Sequence, residues 1–367
     1  MPNGRISAGD VSGLAGRSGG AVPLHGSLTM VSPEAPQQST VTEVVAAPIE
    51  RRVSERTSRI LLWARNNMAL VLLVVLVIAG ALLSDVFLTP RNLLNIMWAV
   101  SILGVIALGQ TMLLITCNFD MSVAFVVGLS GIVAVLSQIA GADLYTSMAL
   151  GLSVGVAFGL LNGALVVITG ANPFLITLGT SSLAYAISLM LTQSQTLYAT
   201  AEGFTELGRG RLFGVVHYSV IIFIGLALLL QFVLSRAPYG RSLYVLGLNE
   251  RAGKLSGLPV RVAKISTFVL CSVLAALAGL IMTSRTGSTV ANAGVGMDFD
   301  SIIASVLGGI SLFGGRGSAL RAVVGVLVLG VLNNLLVLLS VPLEAQQIAK
   351  GTIFLLVVWA DSALRQP

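Results

Sequence analysis

Charge is scarce in this sequence. Asp, Glu, Lys and Arg make up 10% of its 367 residues, against roughly 25% in an ordinary globular domain. From Leu144 to Ala201 there is none at all. A water-soluble domain needs a charged outer layer, so this deficit excludes one. Cysteine is equally sparse. Cys117 and Cys271 are too few for a disulfide framework and wrongly spaced for zinc, and both are expected to be buried apolar fillers. His25 and His217 give no metal site either, so no metal or cofactor is expected. No Gly-Lys-Ser/Thr phosphate loop occurs anywhere, and any ATP that drives this protein must be bound by another subunit. No signal-peptide core precedes the first apolar run, so no cleavage is expected. The net charge of +6 comes from basic residues that flank apolar runs, which excludes a nucleic-acid footprint.

What is present is apolar sequence in long blocks. Hydrophobic residues are 55% of the chain and there are 40 glycines. A bilayer core about 30 Å thick takes roughly 20 apolar helical residues. On that measure the chain is an all-α polytopic membrane protein with ten transmembrane helices. They are expected at 68–86, 93–116, 121–139, 146–168, 173–193, 215–235, 265–284, 299–315, 320–340 and 345–361. Residues 1–50, rich in Gly, Ser, Pro and Thr, read as a disordered cytoplasmic tail. A basic juxtamembrane segment at 51–67 follows, and the transmembrane domain fills 68–361. Lys and Arg cluster ahead of the first span, at 236–264 and around Arg316. That bias places both termini and the 236–264 loop in the cytoplasm, in agreement with an even number of spans. Gly159-Leu160-Leu161-Asn162-Gly163 is echoed by Gly330-Val331-Leu332-Asn333-Asn334 five spans later, which predicts an inverted repeat.

Several polar constellations interrupt the apolar blocks. Gly151, Gly155, Gly159 and Gly163 recur every four residues, making a smooth face for helix packing. Between Pro238 and Lys264, Asn249 is placed to cap a short helix through Glu250, Arg251 and Lys254, stopped by Gly257 and Pro259. That loop either docks a cytoplasmic partner or only sets topology. Asp120 before the third span, and Asp298 and Asp300 before the eighth, read first as helix N-caps and second as pathway or relay groups. Lys350 is expected to snorkel. Pro173 belongs in a first helical turn after Asn172, with Thr177, Thr180, Ser181 and Ser182 on the same helix. Residues 313–318, Phe-Gly-Gly-Arg-Gly-Ser, read as a tight turn. Candidate pathway residues are Asn118, Asp120, Asn162, Thr177, Asp300 and Asn333.

Taken in order, short pieces of the chain resemble the membrane permease of ribose-type ABC importers, the branch serving monosaccharides. The pieces are Leu103–Thr111, Asp120-Met121-Ser122-Val123, Asn172-Pro173-Phe174, Gly240-Arg241 through Gly257, Gly308-Gly309-Ile310-Ser311, Gly314–Ser318, Leu332-Asn333-Asn334, and Gln346 to Gly351. The resemblance runs from about Asn92 to Trp359. It implies a homodimer in the bacterial inner membrane. It also implies an extracytoplasmic sugar-binding protein and a cytoplasmic ABC ATPase docked on Arg241, Asn249, Glu250, Arg251, Lys254, Ser256 and Gly257. Cys117, Asn118 and Phe119 depart from the family's usual two glycines and Ile, and Ala124 stands where Gly is frequent. Rival readings are an ABC permease for nucleosides or branched-chain amino acids, a proton-coupled secondary carrier using Asp120 or Asp300, and a channel.

Overall fold

The computed structural model describes residues 67–363. The expected tail at 1–50, the basic segment apart from Asn67, and Arg365 lie outside the described residues. The described chain is a bundle of apolar helices, a multi-pass membrane protein. In order these are α1 (Met68–Leu83), α2 (Pro90–Ile115), α3 (Val123–Ile139), α4 (Leu144–Thr169) and α5 (Pro173–Thr192). Then come a four-residue α6 (Glu206–Arg209), α7 (Tyr218–Arg236), and the short helices α8 (Pro238–Leu248) and α9 (Glu250–Leu255). The chain finishes with α10 (Val260–Thr286), α11 (Met297–Leu307), α12 (Ala319–Leu338) and α13 (Leu343–Ala363). Helices α2, α4, α5, α7, α10 and α12 are long and apolar enough to cross a membrane, and α1 and α3 are shorter apolar helices.

Local sequence sets the ends. Thr89 caps α2, its hydroxyl accepting from the Asn92 amide, with Pro90 in the first turn. Asp143 caps α4 in the same way, and the left-handed Gly170 terminates it. Asn172 accepts from the Phe174 amide at 2.9 Å, with Pro173 at the first helical position as expected. Ser318 caps α12.

The core lies around α2 and α10. The most apolar stretch of α2 is 83% buried and that of α10 is 61%, whereas α5 is only 28% buried and shows Leu175, Leu178, Leu183 and Met190 outward. Such an apolar exterior suits lipid. The glycine face of α4 lies on α10. A Cβ on Gly155 would come 2.5 Å from the Ser272 carbonyl, one on Gly159 2.5 Å from Val269 Cα, and one on Gly163 2.9 Å from Ile265 Cα. These two helices meet backbone to backbone.

One end of the bundle carries two short antiparallel pairs. Leu197–Tyr198 pairs with Ser288–Thr289, and Arg211–Leu212 pairs with Val216–His217. The opposite end carries α8, α9 and the 311–318 turn, where Gly314 and Gly315 take φ of 80° and 70°. At this end the Gly315 amide donates to the Ile115 carbonyl at 2.9 Å.

Four expectations are corrected. The eighth span does not run 299–315: α11 stops at Leu307, because Gly308 abuts the Arg321 carbonyl and Gly309 turns left-handed. Asp298 and Asp300 do not cap α11, whose cap position is Gly296; they sit in its first turn. Lys350 does not snorkel but pairs with Asp300 at 2.8 Å. Cys271 is buried as expected, while Cys117 is exposed at φ 59°, where the resembled family carries glycine.

Candidate functional site

The chain breaks helix twice at membrane depth. The first break, 116–122, joins α2 to α3, and its polar groups turn inward. Asp120 is 0% exposed. Its Oδ1 accepts from the Ser122 amide at 2.8 Å and the Ser122 hydroxyl at 2.6 Å, closing a turn rather than capping α3. Asn162 of α4 donates its side-chain amide to both carboxylate oxygens, at 3.4 and 3.2 Å, and to Ser122 Oγ at 2.8 Å. Ser272 of α10 donates to Oδ2 at 3.2 Å. Gln110 of α2 brackets the Asp120 backbone, donating to its carbonyl and accepting from its amide. Thr180 of α5 donates to Asn162 Oδ1 at 2.6 Å, and Thr177 accepts from the Met121 amide at 3.1 Å.

A carboxylate in an apolar bundle is tolerated only when donors converge on it. Here they come from the break itself at Ser122, from α4 and from α10, with α2 and α5 joined through the same hub. Ser272 lies 12 residues from Val260, so about 18 Å along α10, close to mid-depth. Three of the six candidate pathway residues, Asp120, Asn162 and Thr177, therefore meet in one sealed cluster. Asn118 is apart from it, donating to the Thr116 carbonyl at 2.8 Å, beside a cleft of about 1360 Å³ that Lys254 and Lys264 also line. Asp300 pairs with Lys350 between α11 and α13. Asn333 of α12 lines a cavity of about 550 Å³ with Asn95, Trp98 and Arg285, and its buried Oδ1 has no hydrogen-bond partner.

The second break, 290–296, joins the Ser288–Thr289 strand to α11 through turns closed by Ala293 N to Val290 O, Val295 N to Asn292 O and Met297 N to Gly294 O. Gly294 packs on Ala124 and Val127, and the Val127 carbonyl packs on Gly279. Gly279 lies seven residues, about 10 Å, inside α10 from Thr286. The break is thus well inside the bundle.

The segment after α7 is held by short, rigid contacts. Asn249 Oδ1 accepts from the Ala252 amide at 3.0 Å and caps α9 as expected. Glu250 pairs with Lys254 at 2.8 Å and Lys264 at 2.6 Å. The hydrogen bond from Lys254, then that from Lys264, hold its carboxyl below the ordinary value. Tyr244 donates to the Gly317 carbonyl at 2.8 Å, and Gly247 lies against the Ile115 carbonyl and Gly315. Arg251 and Lys254 point to solvent, Leu255 is 90% exposed, Arg241 reaches back to the Arg236 carbonyl, Ser256 bonds the Ala252 carbonyl, and Gly257 takes φ 76°. This is a solvent-facing basic knob with one large apolar tip, on a base of close backbone contacts.

Sequence reasoning missed one cluster, at the strand end. His217 stacks on Trp98 with ring centroids 4.2 Å apart and planes 3° from parallel. The Arg285 guanidinium lies 3.7 Å over the Trp98 ring. Trp98 also donates to the Gly208 carbonyl at 2.9 Å. The three residues are far apart in the chain and no spacing links them. Among the described residues no cluster of His, Cys, Asp and Glu is arranged to hold a metal.

Comparison with known proteins gives a consistent result. The family described as branched-chain amino acid transport system / permease component matches residues 92–358. The ribose import permease protein of Bacillus subtilis (strain 168) is 36% identical over 291 residues, covering 79% of this chain and 90% of that protein. The D-allose transport system permease protein of Escherichia coli (strain K12) is 32% identical over 305 residues, covering 82% and 92%. An L-arabinose ABC transporter permease protein of Azospirillum brasilense is 32% identical, also over 305 residues, covering 83% and 90%. No solved structure matches.

Proposed function

The chain belongs to the branched-chain amino acid transport system / permease component family, and from that premise we propose that it is the membrane-spanning permease of an ATP-driven monosaccharide importer. The observation that carries the sugar reading is the set of relatives, named for ribose, D-allose and L-arabinose transport, which align over about four fifths of this chain. The protein does no covalent chemistry. A second copy of the chain completes the passage, an extracytoplasmic binding protein delivers the sugar, and a cytoplasmic ABC ATPase binds the ATP. The complex sits in the bacterial cytoplasmic membrane with both termini inside, the 1–50 tail and 51–67 basic segment included, and ten spans in the 68–361 domain.

The inverted repeat is supported by element order. Long helix, break, then three helices occurs twice: α2, 116–122, α3, α4, α5, and then α10, 287–296, α11, α12, α13. The two halves also make matching contacts. Ser130 of α3 donates to the Ala276 carbonyl of α10 at 3.0 Å, and Ser305 of α11 donates to the Ala107 carbonyl of α2 at 3.1 Å. Asn162 and Asn333 occupy corresponding helices, α4 and α12.

The 236–264 segment is the ATPase dock, through Arg251, Lys254 and the Leu255 tip. ATP on the partner would move this knob and so shift the bundle between outward- and inward-open states. Asp120, Asn162 and Thr177 brace the mid-depth break, while Asn118 and Asn333 stand on the two approaches to the passage. A carrier using Asp120 or Asp300 is disfavoured, because the first is enclosed by donors and the second is paired with Lys350.

The test is uptake of a panel of labelled monosaccharides by cells expressing the chain with and without its candidate ATPase. Uptake that needs the ATPase and survives a protonophore is expected. Uptake that ignores the ATPase but collapses with the proton gradient would replace this reading by the carrier. Arg251→Glu or Lys254→Glu should lower sugar-stimulated ATP hydrolysis with the permease still assembled; unchanged coupling in both would remove the docking assignment.

A further inference from the structure

The two breaks in the helical bundle are alike in position and differ in how much of each is exposed. At 116–122, Asn118, Asp120, Met121 and Ser122 are buried and the polar groups find partners within the same chain, and only Cys117 is exposed, on the cleft that residues 116–119 line. At the second break Asn292 and Gly296 are exposed, Val295 is 62% exposed, and Phe299 in the first turn of α11 is 51% exposed. Lipid cannot cover such a surface. Turn backbone leaves N–H and C=O groups outside any helix ladder, and in hydrocarbon each costs several kcal/mol. Irregular backbone at membrane depth is found only where protein buries it or water reaches it.

Asp298 decides between those two. It is half-buried beside Phe299 and forms no ion pair among the described residues, whereas its neighbour Asp300 is neutralised by Lys350. The amides of its own helical turn at Asp298 and Phe299 are its donors, and a half-buried carboxylate with no cation leaves its remaining lone pairs to water. We infer that residues 292–299 form part of the wall of the water-filled passage, where exposed turn backbone, the Asn292 amide and the Asp298 carboxylate meet the hydroxyls of the passing sugar. The sugar as occupant rests on the function proposed above; the water does not. In this arrangement the buried 120–122 part of the first break is a brace and the corresponding part of the second an open wall.

The experiment reads water access at single cysteines in the assembled complex in membrane vesicles. The background is Cys117→Ser, since Cys271 is buried. Val295→Cys and Phe299→Cys are compared with Phe213→Cys, a fully exposed loop position, and Leu183→Cys on the outer face of α5. The probe is a charged, membrane-impermeant maleimide, applied from either side. A thiol reacts as thiolate and so needs water; Val295→Cys should react within about tenfold of Phe213→Cys and on the order of a hundredfold faster than Leu183→Cys. The modified Val295→Cys and Phe299→Cys proteins should lose monosaccharide uptake.

Reaction as slow as at Leu183→Cys from both sides would overturn the inference. So would oxidation joining two copies through Val295→Cys while the reagent stays excluded, which would make this face a dimer contact. Reagent access is read without sugar. A wild-type complex that moves no monosaccharide therefore removes the transport reading by itself, and slow labelling in a complex that does transport removes only the passage wall.

Discussion

Replacing Asp120 by Asn tests whether the sealed cluster braces the fold or handles solute. The asparagine can turn its carbonyl oxygen toward Ser122 and keep both bonds there. Its amide then occupies the place of Oδ2. The Ser272 hydroxyl can rotate to accept from it, but the Asn162 amide, which donated to both oxygens, now faces a donor. Asn162 keeps its 2.8 Å bond to Ser122 Oγ, so it is not stranded. The loss is about one charge-assisted hydrogen bond plus weakening of the others, roughly 2–4 kcal/mol. For a chain of this size that corresponds to a fall of about 5–10 °C in the thermal midpoint. Asp120→Ala, which takes the acceptor from the Ser122 amide and from the Ser122 and Ser272 hydroxyls in a fully buried site, should fall further. The assay is thermal unfolding of purified protein in one fixed detergent or lipid, read beside ATPase-dependent uptake. Wild-type melting together with abolished uptake in Asp120→Asn would refute the reasoning, because the carboxylate would then be acting on the cargo.

Three further outcomes follow from the same geometry. Gly159→Ala places a Cβ 2.5 Å from Val269 Cα, backbone that cannot step aside, and should lower stability by about 1–3 kcal/mol. Gly179→Ala on α5, with nothing within 4 Å, should be neutral or up to about 1 kcal/mol stabilising, and equal melting of the two would contradict the α4–α10 packing. Because Lys254 and Lys264 hold the Glu250 carboxyl below its ordinary 4.5, its charged form favours the fold. That contribution is complete above about pH 4.5 and lost as pH falls through the lowered folded value. Glu250→Gln should be less stable than wild type at neutral pH and match it in acid, and a difference that persists in acid would assign the effect to packing. Lys350→Met leaves Asp300 unpaired and should cost about 3–5 kcal/mol, much of it restored by adding Asp300→Asn; thermal midpoints of the single and double variants decide this, and no restoration would mean the pair contributes little.

Helices were readable in the sequence because lipid imposes length and polarity on each segment almost independently of the others. Capping was readable too at Asn249, and the helix start at Pro173, whereas Ser318 reads as part of a turn and its capping of α12 emerges only in the fold. The eighth span was misplaced for a definite reason. Apolar sequence continues from Ile302 past Leu307 to Phe313, and what ends the helix is the contact of Gly308 with the Arg321 carbonyl, a tertiary fact. The site was half readable. Asp120, Asn162 and Thr177 stand out as polar residues in apolar surroundings, but their meeting point depends on Ser272. A single serine in an apolar helix can as easily bond its own preceding turn, so hydropathy gives no hint that it reaches across. Likewise nothing in Val290–Gly296 distinguishes a loop outside the membrane from turns within it.

The contact of Gly247 with the end of α2 has a mechanical meaning. A load applied at the Leu255 tip passes through α8 to an interface where Gly247, Gly315 and the Ile115 carbonyl touch without intervening side chains. Such a joint has no flexible side chain in it to take up a displacement. From it α2 runs unbroken for 26 residues, about 39 Å, and carries Trp98 with its Arg285 and His217 partners about 26 Å from the joint. If the knob is the dock proposed above, a push on it would be passed by this one helix toward the opposite end of the bundle.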